Sequence, residues 1–326
     1  MMKTLVVKER LQMPKLTRRQ FNKLTLATAT ATTISAANIM QARKAHGLVP
    51  RAHGPVLTSG FTEFEQSCRK AAHNLNKVVT GWGAPWRESP DHVWTTCTIS
   101  DFTIVRTQAG DITTDLDPEK ALREIQETRF YDLKKDAKGA DKLIIEIGNE
   151  PNAGKLEIGE YTKYLSQTID KLQQNFPGAK LCSTALSPNK AFNPDGWYNN
   201  RDWRDQVNRC DFVGFHFYTN DPNGDFRNAG IYNEKTFLES LKDINKYWPG
   251  KNAIATEYSI RSTNPEKSLS AYDKGYKYAE LVHFDAEIPS NLWGATYFHI
   301  EVTGDDPFDE NVGTDGAAGY AAKLHG

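Results

Sequence analysis

The sequence predicts an α/β fold, a single (β/α)8 TIM barrel, and three observations carry that expectation. From residue 140 onward, apolar runs of strand length alternate with helical patterns, the mark of βαβ units around a parallel sheet. The units recur about every 30–40 residues, the repeat of a barrel of this type. The chain has 326 residues, 39% hydrophobic and 25% charged, enough core material for one large domain. The rival architecture, an open doubly wound sheet, announces itself with a glycine-rich phosphate turn. "GWGAPW" (81–86) has neither the spacing for that turn nor a helix after it.

The later elements follow in order. "KLIIEIGNE" (142–150) reads as a buried strand that breaks at Gly148, and "EIGEYTKYLSQTIDKLQQNF" (157–176) repeats apolar residues at helical spacing. "GAKLCSTALSP" (178–188) is the next strand, "WRDQVNRC" (203–210) a short helix and "DFVGFHFYT" (211–219) a strand. Helix and strand then alternate through 233–248, 251–259, 268–286 and 291–300, and "DGAAGYAAKLHG" (315–326) closes as a helix. Between residues 55 and 140 the pattern is weaker. Residues 62–79 and 118–137 read as helices, and "HVWTTCTI" (92–99) and "FTIVRTQAG" (102–110) as strands. One further strand is needed, either "GPVLTSG" (54–60) or "NKVVTGWG" (76–83), and the residues do not choose between them.

The first residues form a separate segment. "LTRRQFNKLTLATATATTISAANIM" (16–40) pairs Arg18 with Arg19, continues with a mild apolar stretch and exits through small residues. That order resembles a twin-arginine export signal. Residues 1–45 are therefore expected to be signal and linker, residues 46–326 the barrel, and the protein to be exported, periplasmic or secreted. Net charge is −1 with no dense basic block beyond the N-terminus, which argues against a nucleic-acid partner. No apolar run reaches the roughly 20 residues of a membrane span, so no membrane partner is expected, and a monomer is. Cys68, Cys97, Cys182 and Cys210 lie far apart with no CxxC, so zinc-ribbon and redox motifs fail on spacing and buried free thiols are expected.

Three strand ends carry side chains suited to chemistry, and barrel enzymes place catalytic groups at such ends. The ends are Asn149-Glu150, His216 with Tyr218, and Glu257. Alternation puts His216 and Tyr218 on one face with Phe212 and Gly214, leaving Val213, Phe215 and Phe217 to pack under helices. By the same rule Glu257 shares a face with Ala253 and Ala255, opposite Ile254 and Thr256. Strict alternation would separate Asn149 from Glu150, but an irregularity at Gly148 would aim both at the barrel mouth. Each of these side chains alone has an ordinary structural reading. Together, two glutamates three βα units apart would face each other, and carboxylates about 5–5.5 Å apart are the machinery of retaining glycoside hydrolysis.

Gly-Asn-Glu-Pro-Asn after an apolar strand (148–152), His-Phe-Tyr (216–218) and Ala-Thr-Glu-Tyr (255–258) resemble clan A of the glycoside hydrolases. The resemblance implies a (β/α)8 barrel in which Glu150 is the acid/base and Glu257 the nucleophile. Asn149 would bind the sugar 2-hydroxyl, Tyr218 would orient the nucleophile and His216 would stand beside it. Arg106 is the candidate for the clan's arginine near the nucleophile. The clan's tryptophan at the end of the last strand is missing. Trp293 lies near that strand's start, and Tyr297, Phe298 and His299 stand at its end. Apolar surroundings and the Glu257 charge would keep Glu150 protonated for its role as acid, while a hydrogen bond from Tyr218 would keep Glu257 ionised.

Loop aromatics supply candidate sugar platforms: Trp82 and Trp86, Trp197 and Trp203, and Tyr297 or Phe298. No metal or cofactor is expected. "DPNGD", with Asp221, Asn223 and Asp225, starts like a calcium loop but has Phe226 where glycine and Tyr232 where glutamate is needed. The acidic run Asp305, Asp306, Asp309 and Glu310 reads as a solvated loop. The expected function is retaining hydrolysis of a polysaccharide or oligosaccharide. A silent carbohydrate-binding barrel, a transglycosylase and an unrelated parallel α/β enzyme are the rivals.

Overall fold

A computed structural model describes residues 51–57, 73–80, 100–111, 116–154, 156–219, 221, 223, 225–228, 235–260, 269–297 and 313–325. Eight strands run β1 (Ala52–Leu57), β2 (Leu75–Val79), β3 (Phe102–Arg106), β4 (Leu143–Glu146), β5 (Lys180–Cys182), β6 (Phe212–Thr219), β7 (Asn252–Ile260) and β8 (Leu292–Tyr297). Each pairs in parallel with the next, and β8 pairs with β1, so the barrel closes in sequence order. The described helices are α1 (Pro118–Thr128), α2 (Phe130–Ala137), α3 (Ile158–Asn175), α4 (Pro194–Asn199), α5 (Arg201–Asn208), α6 (Phe237–Tyr247), α7 (Ala271–Ala279) and α8 (Gly313–His325).

The early strands resolve the open choice by using both segments, since 54–57 falls in β1 and 76–79 in β2. With "FTIVR" as β3 the barrel is complete without residues 92–99, which lie outside the described residues, as do the export segment and the acidic run at 305–310. The single helix expected over 118–137 is two. Arg129 has φ 58° and ends α1 in a left-handed turn that also starts α2. Asp117 caps α1 and Pro118 sits in its first turn, where a missing N–H is harmless. Helix α3 buries Tyr161, Leu165, Ile169 and Leu172, one stripe at helical spacing against the wall.

One side chain per strand fills the barrel floor: Ala52, Leu75, Ile104, Ile144, Cys182, Phe212 and Ile254, closed by Phe102 and Trp293. Trp293 lies edge-on to Phe102 at 4.8 Å between ring centroids and 4.8 Å from Phe212. Trp293 is thus floor packing, consistent with its position near the strand start. Two residues beyond the floor, on the same faces, stand Lys77, Arg106 and Glu146, all buried. A charged layer therefore lies directly above an apolar one.

Strand β6 alternates as expected, with Phe215 and Phe217 packing outward on Phe237 of α6. Strand β7 does not. Ile254, not Ala253 or Ala255, points to the floor. The pairing with β6 then steps from Phe215↔Ala255 to His216↔Glu257, skipping Thr256. This bulge turns Glu257 to the same side as Ile254, three residues away, which a regular strand cannot do. The Thr256 carbonyl, left out of the ladder, accepts from Lys77 Nζ at 3.0 Å and from the Thr296 hydroxyl at 2.5 Å. Cys182 and Cys210 are free and buried, and burial raises both thiol pKa values, Cys210 to about 12. Cys68 and Cys97 lie outside the described residues.

Candidate active site

The chain leaving β4 makes the first half of the site. Gly148 has φ 69° and Glu150 has φ 41°, so two left-handed residues bracket Asn149 and break the alternation. The Thr107 hydroxyl accepts from Gly148 N at 2.8 Å, and Ala185 O accepts from Glu150 N at 2.9 Å. Strands β3 and β5 thereby fix the turn from both sides. Both side chains consequently reach the mouth. Asn149 Oδ1 accepts from Arg106 at 2.8 Å, while its Nδ2 donates to Asp111 Oδ1 at 3.3 Å. Those two partners decide which way the amide points. Glu150 Oε1 lies 2.7 Å from His216 Nδ1.

The second half is built around Glu257. Tyr218 donates to its Oε2 at 2.6 Å, and Arg106 donates to its Oε1. Lys77 Nζ lies 3.2 Å from the same Oε1 and 2.7 Å from Glu146 Oε2. Burial opposes a charge on Glu257. The neighbouring His216, Lys77 and Arg106 and the Tyr218 hydrogen bond outweigh it and hold the carboxyl well below the usual carboxylate range. Burial likewise opposes the Arg106 charge, but the carboxylates of Glu257, Glu146 and Asp111 prevail and raise its pKa. Glu257 is 6% exposed at the side chain and Glu150 is 16%, so the former sits deep and the latter nearer water.

One nitrogen joins the two halves. His216 Nδ1 is 2.7 Å from Glu150 Oε1 and 3.8 Å from Glu257 Oε2. Those two oxygens are therefore at most about 6.5 Å apart, at the lower edge of the separations that leave room for a water between two carboxyls.

Of the residues expected at the site, Arg106, Asn149, Glu150, His216, Tyr218 and Glu257 come together. Tyr297 does not. It is 1% exposed and stacks on Tyr278 of α7 at 5.1 Å, with His53 and His73 around it, behind the strand rather than at the mouth. Trp197 and Trp203 are core residues, not platforms. They pack edge-on to each other at 5.2 Å and against Tyr161 of α3. Trp82, Trp86, Phe298 and His299 lie outside the described residues. Asp221 spends its Oδ1 on the backbone N–H groups of Asn223 and Asp225, as a turn residue does. Among the described residues no group of three or more His, Cys, Asp or Glu could hold a metal.

Lys77, Glu146 and Asp111 were not anticipated. A signal for the first two exists in the sequence. Lys77, Arg106 and Glu146 each follow a floor residue by two positions on three successive strands.

By sequence, the chain matches no family model and no curated protein. By structure it is similar to a glucosidase from Croceicoccus marinus, with TM-score 0.57 and 12% identity over 85% of this chain and 66% of that one. It is also similar to a family 5 xyloglucanase from Paenibacillus pabuli, with TM-score 0.54 and 13% identity over 85% and 99%. A third is a β-1,4-D-mannanase from Cryptopygus antarcticus, with TM-score 0.52 and 12% identity over 85% and 91%. The fold is thus the (β/α)8 barrel on which these glycoside hydrolases are built.

Proposed function

We propose that the chain is a retaining glycoside hydrolase acting on a polysaccharide or oligosaccharide, with Glu150 as acid/base and Glu257 as nucleophile. The observation that carries this reading is the His216 nitrogen within 2.7 Å of one carboxylate and 3.8 Å of the other. An upper limit of about 6.5 Å between those two oxygens supports direct attack over attack by an interposed water.

In the first displacement a Glu257 oxygen forms a bond to the anomeric carbon while the glycosidic oxygen leaves with the Glu150 proton. The negative charge moves from Glu257 to Glu150. In the second, water attacks the same carbon, gives its proton to Glu150, and Glu257 leaves as carboxylate. Asn149, held by Arg106 and Asp111, would bind the sugar hydroxyl next to the reacting carbon. Glucosides, xyloglucan and β-1,4-D-mannan are the first substrates to screen, given the activities named for the similar structures.

Glu150→Ala should hydrolyse only substrates whose leaving groups need no proton, and azide should speed its second step and appear in a product of retained configuration. Glu257→Gly should be inactive, and any azide product it forms should be inverted. Full activity of Glu150→Ala on an unactivated glycan removes it as the acid. We also propose that residues 1–45 direct export. Changing Arg18 and Arg19 together to Lys should then trap the protein in the cytoplasm, and unchanged export would overturn that reading.

A further inference from the structure

We propose that Lys77, held in place beneath Glu257 by its ion pair with Glu146, keeps the nucleophile ionised and makes it the better leaving group in the second displacement. Both are then positioning residues. The leaving-group half of this inference rests on the double displacement proposed above; the hold on Glu257 does not.

Lys77 is fully buried, and its ammonium has three acceptors in reach: Glu146 Oε2 at 2.7 Å, Thr256 O at 3.0 Å and Glu257 Oε1 at 3.2 Å. The contacts with Thr256 O and Glu257 Oε1 are hydrogen bonds, and the one with Glu146 is an ion pair. One of the acceptors is the bulge carbonyl, so the same cation anchors the backbone irregularity that turns Glu257 inward. A lysine serving only to fill the barrel would not meet both the carboxylate and the bulge that aims it.

Charge accounting assigns Glu146 its part. When Glu257 becomes an ester its charge passes to Glu150, nearer the mouth. Lys77 alone would then be a buried ammonium facing a neutral ester, an arrangement of high cost. Glu146 takes no part in either step and stays the partner of Lys77. Lys77 therefore stays in place, ready to stabilise the carboxylate as Glu257 departs. Arg106 cannot do this alone, because it also holds Asn149.

The groups on Glu257 are Lys77 from β2, Arg106 from β3, and His216 and Tyr218 from β6, with Glu146 of β4 behind Lys77 and Glu150, after β4, behind His216. Asp111 acts on Arg106, and Cys182 lies near Lys77 and Glu146. Of these charged groups, Lys77 and Glu146 stand on the floor side, two residues above Leu75 and Ile144. They can be changed without removing a group that touches sugar.

The test is a carbon-13 titration of the protein labelled at glutamate carboxyls, with the Glu257 signal assigned by its loss in Glu257→Gln. The variants are Lys77→Met, Glu146→Gln and the two combined. The double variant leaves no buried ion of the pair unpartnered and so should fold, as thermal unfolding will show. In the parent, Glu257 should stay a carboxylate to the acid limit of the fold. In Lys77→Met and in the double variant it should titrate at a pH higher by about 1–3 units. In Glu146→Gln, which keeps the cation, it should stay ionised. A folded double variant whose Glu257 remains a carboxylate to the acid limit overturns the proposal. On an activated aryl glycoside cleaved by the parent, the double variant should show a burst and then slow turnover, with kcat and KM falling together. A burst and steady rate reduced equally would overturn the leaving-group half. A shifted titration in a protein that cleaves no glycan would overturn the hydrolase reading and that half with it, and leave the hold on Glu257 standing.

Discussion

Replacing Gly148 with alanine asks whether the turn after β4 is what aims Glu150, and Gly250 supplies a control within the same molecule. Gly148 has φ 69° and Gly250, in the turn before β7, has φ 77°. An alanine in that left-handed region costs about 1–2 kcal/mol at either site. The surroundings differ. A Cβ on Gly250 meets nothing within 4 Å, whereas one on Gly148 would overlap the Tyr161 hydroxyl and lie 2.6 Å from the Gly110 carbonyl oxygen. Neither neighbour is free to withdraw. Tyr161 is fully buried and donates to Ile147 O at 3.3 Å, and Gly110 O accepts from Asn149 N at 3.4 Å. Overpacking of this kind adds about 1–3 kcal/mol. Gly250→Ala should therefore lose about 1–2 kcal/mol, and Gly148→Ala about 2–5 kcal/mol. Urea denaturation of the two variants reads the difference. Relief of the clash must also move the peptide that carries Asn149 and Glu150, and a displacement of about 1 Å costs roughly 100-fold in turnover. Gly250→Ala should keep parental turnover. A Gly148→Ala protein as stable as Gly250→Ala and as active as the parent would refute the reasoning.

Three further outcomes are expected. Tyr218→Phe removes a hydrogen bond to a charged oxygen, about 1.5–3 kcal/mol, and should lower kcat about 10- to 150-fold without unfolding the protein; an unchanged kcat would detach Tyr218 from the nucleophile. Trp203→Ala should cost about 3–5 kcal/mol of stability and leave KM for the glycan unchanged, whereas a raised KM would return Trp203 to the cleft. Glu257, with its native pKa depressed, takes up its proton later than the unfolded chain does as pH falls. The unfolded state then binds more protons below about pH 4.3, so stability present above that pH is lost progressively as pH drops toward the native value. Stability should thus fall more steeply with acid in the parent than in Glu257→Gln; parallel curves would contradict the depressed pKa.

Much of the fold was legible because period and spacing are properties of the chain itself. The regular alternation of β6 put His216 and Tyr218 on one face, and the apolar run ending in Gly148 announced a break that aims two polar side chains together. What failed had physical causes. Residues 54–57 are short and hold a glycine and a proline, and residues 76–79 carry Asn76 and Lys77 at the end of a helical pattern, so the two segments read as alternatives rather than as two strands. Lys77 in particular looks like a solvent residue until an anion beside it is known. Trp197 and Trp203 looked like platforms because loop composition carries no information about burial, and here two short helices fold the rings onto α3. Tyr297 ends its strand as expected but faces the helices, which no count along the strand could reveal without the register of β7 against β8.

The bulge in β7 is the hardest feature to read, yet the charges of the barrel layer require something like it. Lys77 and Arg106 bring two positive groups inward from neighbouring strands, and both are buried. Glu146 supplies one negative group at that level. A layer with one excess cation buried above an apolar floor is costly unless a second anion joins it. Ile254 must also point inward to complete that floor. Alternation would then send Glu257 outward into the helix layer, where Tyr258 instead packs on Tyr278 at 5.0 Å. One extra residue, Thr256, satisfies both demands, since Ile254 stays in the floor and Glu257 turns in to balance the charge. The carbonyl freed by the insertion is taken up by Lys77, the cation whose charge Glu257 helps to offset. The irregularity that defeats pattern counting is thus the one that electrostatics selects, and it sets Glu257 at the depth where two cations can hold it.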